Sequence, residues 1–462
     1  MMTTPNNQIT MSIRSSGLRG EIRCPGDKSI SHRALIFGGL AVGPTTIEGL
    51  LEGEDVLNTV KALEALGVSI EWPDQLDGNG VWTIHGRGVG GLAEPETVLD
   101  MGNSGTGARL LLGVLASHPL SAVVTGDASL RRRPMERVTA PLSRMGAKFE
   151  CRGAGLMPIM VIGTGDPIPL IYESPVASAQ VKSAILLAGL HARGATTVIE
   201  PVPTRDHTER MLRHFGAKVE AVPVKENAAA SSVTVTGLPE LSGQRVAVPG
   251  DPSSAAFLVV AALITEGSDI TLENVGLNPL RTGLFGTLQE MGADITITNT
   301  REEAGEPVGD LQVRSSQLRG ISVPAERAPS MIDEYPILAV AAAYADGDTR
   351  MDGLSELRVK ETDRLAAIAD GLAACGVEAV IESDALIVKG RNGQVPGNAV
   401  VAVHLDHRIA MSFLVLGIAA EKPVSVDDDQ AIATSYPDFI SHMSAIGATL
   451  IKADRTDVDV NT

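Results

Sequence analysis

The residues able to do chemistry in this chain stand in short polar leaders, each set just ahead of an apolar run. The first leader reads CPGDKSISHR, from Cys24 to Arg33. Pro25 and Gly26 end the strand-like run GLRGEIR, and Asp27 or Ser29 can cap a helix that continues through His32 and Arg33 into ALIFGGLA. Lys28, Ser29 and Arg33 then lie at a helix N-terminus, where backbone N–H groups are unpaired and the dipole is positive. Two cations and a hydroxyl placed there suit a small anion bearing carboxylate or phosphate. The same residues also suit an ordinary capped helix with solvated charges, so this leader alone decides nothing.

Further stretches repeat the theme. LDMGNSGTGAR puts Asn103, Ser104, Gly105 and Thr106 before a helix, where glycine lets a ligand approach the backbone. It is no Walker A loop, because no GK[ST] follows. In GDASLRRRPMERV at least one of Arg131, Arg132 and Arg133 is expected on a solvated face, while the proline after Arg133 could aim that guanidinium inward. SPVASAQVKS offers Ser178, Ala179 and Gln180 at another helix start, and TRDHTERML packs Arg205, Asp206, His207 and Glu209. His207 and Glu209 lack a third ligand at metal-site spacing, so a salt-bridged helix start is the better reading. MIDEYP holds Asp333 and Glu334, and HLDHRIAMS holds Asp406, His407 and Arg408. ELRVKETDRL, read as helix, puts Lys360 and Arg364 on one face with Glu361 one step around; an acid beside two cations suits proton transfer, or an ordinary ion pair. The set has basic groups in both halves, two candidate acid–base carboxylates (Asp333 and Glu361), no Ser–His–Asp arrangement and no metal cluster. That favours a reaction between two anionic small molecules, with proton transfers and no covalent cofactor.

The elements that must position these leaders recur six times. An amphipathic segment ends in an apolar residue, a glycine, a small residue and a strand-like run, at Gly67, Gly146, Gly216, Gly292, Gly376 and Gly447. The spacings are 79, 70, 76, 84 and 71 residues. This is the pattern of a helix stopped by a C′ glycine and turned into a strand. Each unit also carries one more apolar segment, such as GDPSSAAFLVVAALI, which reads as a helix buried on nearly all sides. The six units are too long for solenoid repeats and read as two domains of three βαβ-type units, with buried helices running parallel. A domain change is expected near residue 246. REEAGEPVG (301–309) reads as a surface loop between strands, and the tail after Ile451 as frayed.

Bulk properties narrow the function. The chain has 462 residues, long for one core, with 44% apolar residues and 48 glycines, which fits an α/β protein rich in tight turns. Its net charge of −18 and 3% aromatics disfavour a nucleic-acid partner. No apolar run reaches the roughly 20 residues of a membrane span, and the N-terminus lacks a signal-peptide layout. Cys24, Cys151 and Cys375 form no CxxC pair, so a reducing cytoplasm is the expected location.

In this order, PGDKSISHR, GNSGTGAR, the RRRP run, SAQVKSA, TRDHTE, GDPSSAAF, DEYP, LRVKETDRL and DHRIAMS resemble the 5-enolpyruvylshikimate-3-phosphate synthase family, from about residue 12 to 450. The likeness is greater to its glyphosate-tolerant bacterial type than to the enteric type. The resemblance implies a two-domain enolpyruvyl transferase fold, α/β, each domain built of three βαβαββ-like units. It implies domains 25–246 and 1–24 with 247–462, hinged near 25 and 246 and closing on substrate. The implied reaction joins phosphoenolpyruvate to the 5-hydroxyl of shikimate 3-phosphate and releases phosphate. Lys28, Ser29, Arg33, Ser178, Ala179, Gln180, Arg205, Asp333 and Lys360 match positions for shikimate 3-phosphate. Lys28, Gly105, Arg133, Gln180, Arg364 and Arg408 match those for phosphoenolpyruvate. Lys28, Asp333 and Glu361 match catalytic positions, with Glu361 in proton transfer and Asp333 as base. No cofactor, metal, nucleic acid or membrane is implied; a monomer is expected, with glyphosate as inhibitor.

The chain departs from the enteric pattern where a lysine aligns with Gln430 and an asparagine with Glu356. At Gly105 tolerant relatives place alanine, so glycine here predicts glyphosate sensitivity. The nearest rival, UDP-N-acetylglucosamine enolpyruvyl transferase, has a KN dipeptide and a mobile-loop cysteine. This chain has Lys28–Ser29 and no cysteine between residues 104 and 130. A non-catalytic anion binder built on the same units is the alternative of a different class.

Overall fold

A computed structural model describes residues 8–454 apart from 77, 79, 225 and 226. Among these residues the α-helices are α1 (Lys28–Leu40), α2 (Glu54–Ala65), α3 (Gly105–Ala116), α4 (Glu136–Arg144), α5 (Ala179–Gly189), α6 (His207–His214), α7 (Pro252–Ile264), α8 (Gly283–Glu290), α9 (Tyr335–Tyr344), α10 (Arg364–Ala374), α11 (His407–Gly417) and α12 (Phe439–Ala445). The even-numbered helices carry the amphipathic pattern. The glycine that follows each of them has φ between 80° and 110°, a conformation open to glycine because it has no Cβ. The chain turns there into the strands that begin at Ser69, Lys148, Val219, Asp294, Ala379 and Thr449.

Those strands belong to six four-stranded sheets of one design. In the second, Leu99–Asp100 runs parallel to Ser121–Thr125, which pairs antiparallel with Leu156–Ile162, which pairs antiparallel with Lys148–Arg152. The sixth is completed from the other end of the chain. Gln8–Ile13 lies between Val424–Val426 and Thr449–Asp454, antiparallel to both. The tail therefore continues as strand to Asp454, and the rest of it lies outside the described residues.

The odd-numbered helices are the buried ones. In α7 every residue from Pro252 to Leu263 is buried, so its sequence is apolar all round rather than striped. The chain divides into two compact units. Unit 1 comprises Met1–Pro25, Gly250–Arg301 and Val308–Thr462; unit 2 comprises Gly26–Pro249 and Glu302–Pro307. Each has its own apolar core, around α7, α9 and α11 in unit 1 and around α1, α3 and α5 in unit 2. The second crossing falls after Pro249, because Arg245–Ala247 is still an edge strand of unit 2, parallel to Pro44–Glu48. The first crossing needs Gly26: a Cβ there would lie 1.9 Å from the Gly49 carbonyl oxygen.

The stretch 301–309 is not a plain surface loop. Strands Asp294–Glu303 and Glu306–Arg314 are neighbours in one sheet, joined at their tip by Ala304 and Gly305. Glu306 is buried, and its Oε1 pairs with His207 Nδ1 at 2.7 Å. The sequence shows a polar turn, and only the tertiary fold gives its glutamate an interior partner.

Candidate active site

In unit 2 the polar leaders become the N-termini of the three buried helices. Asp27 caps α1, its Oδ1 accepting from Ile30 N at 2.9 Å. Ser104 caps α3, accepting from Gly107 N at 3.1 Å, and Ser178 caps α5. Side chains of the first turns tie these ends together. His32 on α1 bonds Ser104 at 3.3 Å. Arg33 on α1 donates to Ser183 of α5 at 2.8 Å. Gln180 of α5 donates to Thr106 of α3 at 2.8 Å and accepts from Arg109.

The candidate ligands of unit 2 sit on and beside this ring. Lys28, the first residue of α1, is half-buried and pairs with Asp55 of α2 at 2.9 Å. Ser29, Ser178, Ala179, Gln180 and Arg205 are half-buried. Arg131 and Arg132 are exposed, but Arg133 is 7% exposed and donates to Asn103 Oδ1 at 2.5 Å and Ser129 Oγ at 3.2 Å. Gly105 lies against that guanidinium: a Cβ on it would come within 2.8 Å of Arg133 Nη1 and 3.3 Å of Arg109 Nη1.

Arg33 takes a more interior place than the sequence suggests. It is 3% exposed and donates to Thr208 Oγ1 at 2.7 Å, Ser183 Oγ and the Ser29 carbonyl. Burial lowers its pKa to about 10 although Glu209 and Asp27 oppose the shift. Below it lies a group that sequence reasoning missed. Lys182 Nζ is 2.8 Å from Glu200 and 2.7 Å from Glu209, all three buried. Burial works against the Lys182 charge, but the two carboxylates outweigh it and raise its pKa; burial pushes the Glu209 carboxyl up in turn. The lysine of SAQVKSA and the glutamate of TRDHTE carry no local sign that they are partners. Nor are His207 and Glu209 a pair, since they face Glu306 and Lys182 respectively.

In unit 1 the leaders converge on arginines. Residues 355–359 form a 3-10 turn, and the helix expected over 356–365 starts only at Arg364, where Asp363 caps it by accepting from Ala366 N at 3.1 Å. Lys360 and Glu361 therefore stand in a turn and not on a helix face, because a capping aspartate marks a start. The turn still gathers them. Lys360 Nζ is 3.2 Å from Asp333 Oδ1, Arg364 Nη1 is 3.3 Å from the same oxygen, and Arg364 Nη2 is 2.6 Å from Glu361 Oε2.

Arg364 is almost wholly buried, gripped from behind by Asp406 through Nε at 2.7 Å and Nη2 at 3.2 Å. Burial disfavours its charge, yet Asp406, Glu361 and Asp333 together hold its pKa above the usual arginine range. Arg408 Nη1 donates to the Asp333 carbonyl at 3.1 Å and reaches Glu334 Oε1 at 3.4 Å. Glu334 also accepts from Ser253 at the start of α7, whose Oγ is 2.8 Å from Arg281. Asp406 and Glu334 belong to leaders but had no role assigned from the sequence; their part is to hold arginines. Gln430 opens an exposed 3-10 turn, its backbone N–H donating to Asp428.

Among the described residues no three His, Cys, Asp or Glu side chains are grouped to hold a metal ion, and no helix is long and apolar enough to cross a membrane. Cys24 and Cys375 are buried and Cys151 exposed. Cations and hydroxyls on the N-termini of buried helices in one unit, and carboxylates interleaved with arginines in the other, define an enzyme acting on small anionic molecules.

Comparison with known proteins gives the family. The model of EPSP synthase (3-phosphoshikimate 1-carboxyvinyltransferase) matches residues 14–443, and the chain belongs to that family. A 3-phosphoshikimate 1-carboxyvinyltransferase of Paramagnetospirillum magneticum is 62% identical over 440 residues, 95% of this chain and 97% of the relative. One of Rhodospirillum rubrum is 61% identical over 437 residues, 95% and 96% of the two chains. A crystal structure of EPSP synthase from Acinetobacter baumannii superposes with a TM-score of 0.84 at 44% identity, covering 96% of this chain and 99% of that one.

Proposed function

We propose that this enzyme carries out the reaction of its family, transferring the enolpyruvyl group of phosphoenolpyruvate to the 5-hydroxyl of shikimate 3-phosphate with release of phosphate. The observation that carries the reading at residue level is the Lys360–Asp333–Arg364–Glu361 chain of ion pairs in unit 1. It sets two partly exposed carboxylates, 13% and 16%, among cations for which a bound substrate would compete.

Ser29, Arg33, Ser178, Ala179, Gln180 and Arg205 serve shikimate 3-phosphate; Asp333 and Lys360 serve its 5-hydroxyl. Lys28, Gly105, Arg133, Gln180, Arg364 and Arg408 serve phosphoenolpyruvate. Glu361 gives a proton to C3 of phosphoenolpyruvate, which makes C2 electrophilic. Asp333 takes the 5-hydroxyl proton as that oxygen attacks C2. The tetrahedral adduct then expels phosphate while C3 returns a proton, which restores the double bond. Fixed arginines and Lys28 stabilise the charge of the departing phosphate without reorganising. No step calls for a cofactor.

The enzyme is read as a cytoplasmic monomer inhibited by glyphosate. The test is phosphate release. Release that requires both shikimate 3-phosphate and phosphoenolpyruvate supports the reading. Heat of binding without phosphate identifies an anion binder, and turnover with UDP-N-acetylglucosamine identifies the rival transferase.

A further inference from the structure

The leader PGDKSISHR contains one residue that the reaction leaves unused. His32 is wholly buried on α1, one turn after Lys28. Its Nδ1 is 2.8 Å from Thr59 Oγ1 and its Nε2 is 3.3 Å from Ser104 Oγ. Thr59 stands on α2, one turn after Asp55, the partner of Lys28. Lys28–Asp55 and His32–Thr59 are thus two successive rungs between α1 and α2. The second nitrogen of His32 reaches past them to the turn that opens α3.

That turn is closely nested. Gly102 has φ 55°, and a Cβ on it would lie 2.5 Å from Asn58 Nδ2 of α2. Gly105, one residue past Ser104, abuts Arg133. Ser104 Oγ accepts from Gly107 N and has its own proton to offer His32 Nε2. In that arrangement His32 carries its proton on Nδ1 and gives that hydrogen bond to Thr59. A charged ring would have a donor at both nitrogens and would reverse the direction of the Ser104 bond. Burial keeps the ring neutral, and Lys28 and Arg33 beside it act in the same direction.

We propose that His32, as its neutral Nδ1–H tautomer, is a positioning residue for phosphoenolpyruvate: it fixes the Asn103–Ser104–Gly105 turn, and with it Arg133, relative to Lys28. The proposal rests on the assignment of Gly105, Arg133 and Lys28 to that substrate. A misplacement of about 1 Å in such a turn costs up to about 10²-fold in rate.

Two variants separate the nitrogens. His32→Gln sets its amide near the Nε2 position and keeps an acceptor for Ser104; His32→Asn sets it near Nδ1 and keeps only the Thr59 partner. We expect His32→Asn to raise KM for phosphoenolpyruvate about tenfold, with KM for shikimate 3-phosphate unchanged. His32→Gln is expected within about twofold of wild type for both. Equal KM values in the two variants would overturn the assignment. Nitrogen-detected NMR of the wild-type histidines, with His32 identified by its loss in His32→Gln, reads the tautomer without turnover. A protonated Nδ1 and bare Nε2 at pH 7 support the proposal, and a protonated Nε2 ends it. An inactive wild type with the expected tautomer would count against the assigned reaction and not against the tie.

Discussion

Gly105 leaves a space beside Arg133 that one methyl group would fill. The atom that a side chain there would strike is the end of the Arg133 guanidinium, which can move, and not backbone. Gly105→Ala should therefore fold with unchanged stability while shifting a cation assigned to phosphoenolpyruvate. We expect its KM for phosphoenolpyruvate to rise and its inhibition by glyphosate to weaken relative to wild type; equal inhibition constants would refute the crowding argument. At the acid–base end, Glu361→Gln keeps the shape and removes the proton. Its kcat should fall by about 10²–10⁴-fold, while calorimetry shows near-normal affinity for shikimate 3-phosphate. The helix starts at Asp27, Ser104 and Ser178 were legible, because a capping residue stands just ahead of an apolar run. Asp406, Lys182 and Glu209 were not, because their partners lie on other elements and pairing is a tertiary event.

The buried helix starts are held by charges as well as caps. Lys182 joins α5 to Glu200, at the end of strand Ala195–Glu200, and to Glu209 on α6. Removing the lysine leaves two interior carboxylates with no cation between them. Lys182→Met should cost about 3–5 kcal/mol, read as a lower urea midpoint at unchanged slope, and Lys182→Met with Glu209→Gln should recover part of the loss. The helix-to-strand units were readable from the six glycine phrases, since a positive φ at a helix end is a local demand that sequence displays. The start of α10 was misread for the opposite reason: the spacing of Lys360 and Arg364 fits a helix face, while Asp363 between them is a cap.

For the molecule as a whole, three buried or half-buried histidines contribute to the response to acid. His32, His118 and His442 all have pKa values lowered chiefly by burial. Each takes up a proton near its ordinary pKa of about 6.5 when the chain unfolds, and later or not at all in the native state. The unfolded state thus binds more protons, and stability falls as pH drops below about 6.5. Glu209, whose carboxyl is raised, titrates with the opposite sign and offsets part of this. For His32 alone the slope is about 1.4 kcal/mol per pH unit. Urea midpoints should fall between pH 7 and pH 5 for wild type and fall less steeply for His32→Gln; parallel curves would show that the ring is already charged in the folded protein.

The strand at residues 8–13 has one more implication. Its neighbours in the sheet are residues 424–426 and 449–454, so this strand is synthesised well before its hydrogen-bonding partners. The uninterrupted span 26–249 leaves the ribosome long before them, at about 5–20 residues per second. During translation, then, the strand at residues 8–13 waits for its ladder partners until residues 424–454 have been made.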